Sequence, residues 1–99
     1  KPKRVPKAKA RRADQPAPEI VLENARAHLT ASNFGDAIEE YTDLIRTSES
    51  LTDVIADLEK ATEENPNTPE LMQTLGDAYA KDGQLQRSLD IYRQALKRL

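Results

Sequence analysis

The chain has 99 residues and no cysteine, so neither a disulfide nor a thiolate metal site holds it together, and that composition fits a reducing cytoplasm. Its near balance of 15 basic and 17 acidic residues hides a strong polarity: Lys1 to Arg12 carry seven positive charges and no negative one, and everything from Ala13 onward holds all 17 acidic residues. No apolar run approaches the ~18 residues of a spanning helix, no leader-like series of charged, apolar and small residues occurs, and sustained two-residue alternation is missing, which argues against strands.

In chain order, residues 1–17 come first. Pro2, Pro6, Pro16 and Pro18 leave no room for a useful helix before Pro18, and the segment is predicted to be a disordered, basic linker. The chain opens on Lys1, as a fragment of a longer protein or a processed product does, and a Pro/Ala/Lys tract there reads as a connection between domains. Lys1, Lys3, Arg4, Lys7, Lys9, Arg11 and Arg12 are also candidate nucleic-acid contacts, because such cations displace counterions from phosphates. With no aromatic residue among them, that binding would be unspecific and salt-sensitive. Attraction to an anionic membrane rests on the same charges, without an apolar face beside them. The tail is equally suited to visit an acidic surface of its own or a neighbouring chain through weak ion pairs.

From Pro18 the apolar residues recur at helical spacing, and five helices are predicted, near 18–32, 35–47, 51–64, 69–82 and 85–98. Ser50 and Asp53 read as a capping box opening the third, and Asn65-Pro66-Asn67 stops it. The fourth begins with Thr68 as a cap, Pro69 at its first position and Glu70 against the positive helix end. Gly83 supplies the left-handed residue that ends it. Gly76, inside that helix, costs about 1 kcal/mol against alanine and implies close approach by a neighbouring helix.

Met72, Leu75, Gly76, Tyr79, Ser88, Tyr92 and Ala95, counted from Pro69, resemble the signature of a tetratricopeptide repeat, a 34-residue pair of antiparallel helices. Met72 and Ser88 depart mildly from the usual tryptophan and alanine. Upstream, Asn33 to Tyr41 resembles the turn and start of a second helix of such a repeat, with Val21, Ala25 and His28 in its first helix. Val54, Leu58, Ala61 and Pro66 read the same way, and counting back from Pro69 starts a repeat at Gly35. The resemblance therefore implies an all-α, right-handed stack of antiparallel helices with two and a half repeats: a capping helix at 18–34, then repeats at 35–68 and 69–99.

No catalytic constellation is legible. His28 is the only histidine, and Ser32 one turn later lacks an orienting acid and an oxyanion site, so His28 reads as a packing residue. Adjacent carboxylates such as Glu39-Glu40 and Glu63-Glu64 diverge on a helix, and Gly35, Gly76 and Gly83 stand too far apart for a phosphate loop. The expectation is a protein-binding scaffold without enzymatic activity, cofactor or metal.

The family commonly holds a peptide or a partner's helix on a concave face. Carried over by position, that face presents Glu70, Gln73, Asp77, Ala80 and Lys81 in the last repeat, and Asp36, Glu39, Asp43, Arg46 and Thr47 in the one before. Five acidic residues against two basic ones imply a basic ligand. Asp77 stands where the family's carboxylate clamps use asparagine, and Gln73 where they use lysine or another polar donor, which argues against binding the C-terminal tails of chaperones. A second expectation is pairing with a second copy or with another subunit through Leu89, Tyr92, Leu96 and Leu99, because a stack's terminal unit needs a polar outer face and this one is apolar.

Overall fold

Proline and glycine set the helix boundaries. The computed structural model describes Arg11 and residues 13–99, which form five α-helices: α1 (Pro18–Thr30), α2 (Phe34–Thr47), α3 (Leu51–Glu64), α4 (Pro69–Lys81) and α5 (Leu85–Lys97). No strand occurs among the described residues. Pro18 and Pro69 occupy the first turns of α1 and α4, where their missing N–H leaves nothing unsatisfied. Gly83 follows α4 at φ 83°, the left-handed conformation expected of it. Ser32, Ser48 and Ser50 take the same conformation without being glycine, at φ 62°, 59° and 55°.

The expected caps form differently. Thr68 and Ser50 stand at the N-cap positions, but neither side chain accepts a hydrogen bond from its helix. Ser50 is held in the left-handed region rather than in the extended conformation usual for a capping residue. The first turns are closed by backbone bonds alone, with Val54 N–H donating to the Ser50 carbonyl and Leu71 N–H to that of Thr68. Residues 13–17, expected within a disordered tail, make a turn and a bend ahead of α1.

The 34-residue count that groups residues 35–68 as one repeat does not describe the packing. α2 pairs extensively with α1 and only slightly with α3; α5 pairs with α4; and α3 leans mainly on α4, which also packs on α2. The molecule is thus two helical hairpins, α1–α2 and α4–α5, with a single helix between them. Pro18, Ala25, Ser32, Ala37 and Tyr41 stand in the first hairpin where Pro69, Gly76, Gly83, Ser88 and Tyr92 stand in the second, at one constant offset. That offset is roughly one and a half units of 34 residues, which is why counting back a whole unit lands between helices.

Small residues let each hairpin close. Ala25 and Ala37 are fully buried in the first. In the second, Ser88 Oγ donates a buried 2.8 Å hydrogen bond to the Gly76 carbonyl, and the Tyr92 ring lies over Gly76. A Cβ on Gly76 would stand 2.4 Å from Tyr92 Cε1, so the close approach inferred from sequence is that of α5. Gly76→Ala gains about 1 kcal/mol of helix propensity but displaces the ring, and the net effect is destabilising by about 1–3 kcal/mol. In a Tyr92→Ala background the same change becomes stabilising; urea unfolding of the four chains reads the reversal.

The hairpins and α3 share one core. Tyr41, Leu44, Val54, Leu58, Leu71 and Leu75 are its largest fully buried side chains, drawn from α2, α3 and α4. Its polar edges are closed by tyrosines: Tyr41 donates to Asp57 at 2.9 Å and Tyr79 to Glu59 at 2.6 Å, each joining α3 to a neighbouring helix. Burial, then the bond to the carboxylate, raises the pKa of both phenols, so both stay protonated donors at neutral pH.

Candidate functional site

The residues expected on one concave face lie in two distinct surroundings. Asp43 and Arg46, near the end of α2, form an acidic cluster with Thr47 and Glu49. Arg46 donates to Asp43 at 2.8 Å, and Thr47 donates to Glu49 at 2.6 Å. Arg11 enters this cluster from the N-terminal segment: Nε donates to Glu49 at 2.8 Å, one terminal nitrogen to Asp43 at 3.0 Å, and the other to the Pro16 carbonyl at 3.0 Å. Only 8% of the Arg11 side chain remains exposed. The Glu49 bond, reinforced by Asp43, raises the guanidinium pKa.

Arg11 was expected among the phosphate contacts of the basic tail, and the structure gives it another role. With its donors directed at carboxylates and a carbonyl, it is not available to a phosphate. The other six cations of that set, Lys1, Lys3, Arg4, Lys7, Lys9 and Arg12, lie outside the described residues. Asp36 and Glu39 are exposed on α2, away from the helix's buried stripe of Ala37, Tyr41, Leu44 and Ile45.

Gln73 and Asp77, from α4, belong to the second surrounding. They line an open hollow of about 360 Å³ with Tyr92, Ala95 and Leu96 of α5, and the Tyr92 hydroxyl donates to Asp77. Burial, followed by that bond, raises the Tyr92 pKa. Glu70, Ala80 and Lys81 are exposed on the same helix. Among the residues expected for self-association, Leu89 is 50% exposed and Leu99 78%, whereas Tyr92 is half-buried. Leu85, 64% exposed, lies on the same apolar run and belongs with that set.

A third feature was not anticipated. Asp57 of α3 receives Arg26 through two nitrogens, at 2.7 and 3.2 Å, as well as the Tyr41 hydroxyl, and a hollow of about 310 Å³ beside it runs between α1 and α3. Sequence spacing cannot reveal this set, because its members come from three helices.

His28, expected to be a packing residue, is partly exposed and lies 2.8 Å from a Glu40 oxygen, joining α1 to α2. That hydrogen bond raises its pKa above the ordinary 6.5. A raised folded-state pKa means that the pair's stabilisation is complete below pH ~6.5 and lost as pH rises through the folded value. An NMR titration of the His28 ring is expected to give a midpoint above 6.5, and Glu40→Gln to lower it toward that value.

No helix among the described residues is long and apolar enough to cross a membrane. Compared with family models, curated proteins and solved structures, the chain matches none.

Proposed function

We propose that the chain is a protein-binding module of the tetratricopeptide kind, whose acidic surface on α2 receives a basic, arginine-bearing segment of a partner protein. The observation that carries this reading is Arg11. Asp43 and Glu49 hold a guanidinium from two sides, with nearly all of its side chain covered. A guanidinium is planar, keeps its charge and presents donors in a fixed fork, so a paired-carboxylate notch selects it over a lysine. In this reading the chain's own N-terminal segment competes with the partner. Asp36 and Glu39 extend the negative surface, which favours encounter with cationic segments and disfavours acidic ones. The resemblance of α4–α5 to a repeat hairpin supports a scaffold rather than a catalyst.

The test uses a peptide of residues 6–16, PKAKARRADQP, titrated into the isotope-labelled chain with Arg11 and Arg12 both replaced by alanine. The peptide is expected to move the signals of Asp43, Thr47 and Glu49, to bind several-fold more weakly to the unaltered chain, and to weaken with salt. Asp43→Asn combined with Glu49→Gln removes the binding. Equal binding to all three chains, or shifts elsewhere, would refute the reading.

A further inference from the structure

The two carboxylates that hold Arg11 come from the end of α2 and from the turn that follows it. Ser48 and Ser50, on either side of Glu49, both take the left-handed conformation, at φ 59° and 55°. Neither is glycine, so this turn carries backbone strain that persists only where its surroundings fix it. Ser48 N–H donates to the Ile45 carbonyl at 3.0 Å and Glu49 N–H to that of Leu44 at 2.9 Å, which folds the chain back over the last turn of α2. That places the Glu49 carboxylate beside the Thr47 hydroxyl.

Each carboxylate of the notch therefore has a holder besides Arg11. Arg46 donates to Asp43 Oδ1 at 2.8 Å and leaves Oδ2 to Arg11 at 3.0 Å. Thr47 Oγ1 lies 2.6 Å from Glu49 Oε1, the same oxygen that accepts Arg11 Nε at 2.8 Å. A threonine hydroxyl has one hydrogen, and the carbonyls of Asp43 and Leu44, at 3.1 and 3.3 Å, also lie within its reach. The carboxylate is both the nearest of the three acceptors and the only charged one, so it takes the proton.

We propose that Thr47 is a positioning residue of the notch and sets its preference for arginine, an inference that rests on reading the notch as a guanidinium site. The hydroxyl holds Glu49 at a fixed angle to Asp43 before any cation arrives. Two like charges so placed repel each other, and a neutral donor restrains one of them without cancelling the negative charge that attracts the ligand. Ordering done in advance is not paid again on binding. The gain belongs to arginine, because the planar edge formed by Nε and one terminal nitrogen needs both acceptors at set places. An ammonium bonds to either carboxylate in many orientations and gains little from their alignment.

The test uses the full chain with Arg11 and Arg12 replaced by alanine and two peptides, PKAKARRADQP and its lysine counterpart PKAKAKKADQP. Adding Thr47→Val is expected to weaken the arginine peptide about three- to ten-fold and the lysine peptide by less than about two-fold, and Thr47→Ser to restore the difference. In a chain that also carries Glu49→Ala, Thr47→Val costs nothing further, since the residue it acts through is gone. Circular dichroism confirms that each variant folds. A second readout needs no partner: in the chain with Arg11 in place, Thr47→Val is expected to speed solvent exchange of the Arg11 Nε–H several-fold, and Thr47→Ser to slow it again. Equal losses for the two peptides, no rescue by serine, a further loss in the Glu49→Ala chain, or unchanged Arg11 exchange would overturn the proposal. Failure of both peptides to bind, with Arg11 exchange still faster in Thr47→Val, would instead refute the partner reading and support the role of Thr47.

Discussion

Replacing Leu58 by alanine is expected to lower the stability by about 2–5 kcal/mol. Leu58 is fully buried on α3, the helix without a hairpin partner, and it belongs to the core shared by α2, α3 and α4. Its removal leaves a cavity in the layer that joins the two hairpins. Small domains hold only about 5–15 kcal/mol in total, and a single core of this size lies toward the lower end. The urea midpoint should therefore fall by a large fraction of its value. Leu89→Ala, on the uncovered stripe of α5, supplies the contrast: the same change of side chain alters the stability by less than about 0.5 kcal/mol. The pair of measurements contrasts the packed core at α3 with the exposed stripe of α5.

The second large effect is expected at Asp57. Asp57→Ala leaves the hydroxyl of the fully buried Tyr41 without its acceptor and the Arg26 guanidinium without its two-point partner. An orphaned buried hydroxyl costs about 1–3 kcal/mol, whereas the Arg26 pair, with its side chain half exposed, adds at most about 1 kcal/mol. The phenol therefore dominates, and a double-mutant cycle separates the two. Tyr41→Phe in the Asp57→Ala background should recover part of the loss by removing the unsatisfied donor, while Arg26→Ala in that background should change little. Denaturant unfolding of the six chains, the unaltered protein, the three single and the two double mutants, reads both terms.

The five helices were legible because their signals are local. Pro18, Pro69 and Gly83 act within a turn of where they stand, the apolar spacing is fixed by helix geometry, and the predicted ends fall within two residues of those observed. The close approach at Gly76 was legible for a similar reason: glycine inside a helix is costly unless something occupies the space of its side chain. The pairing of helices was legible only in part: residues 69–99 and 19–41 each resemble a repeat's helix pair, but the count of 34 from Pro69 competes with the second of these. Ser32 adopts the left-handed turn conformation that Gly83 adopts in the second hairpin, so the first turn lacked its usual marker, and the count of 34 assigned α2 to the wrong partner. His28 went the same way. Its residue type suggested packing, and only the approach of Glu40 on a second helix shows it as one half of a partly exposed pair.

The sequence by itself determined that this protein is helical, where its helices begin and end, and that its charge is divided between a basic N-terminal segment and an acidic remainder. Those properties follow from backbone preferences and composition, which act over a few residues or over the whole chain. Only the tertiary structure decided that α2 pairs with α1 rather than with α3, that Arg11 is held by Asp43 and Glu49, and that α3 packs mainly on α4 while α5 packs on no helix but α4. Each of these depends on residues far apart in the chain meeting at one place.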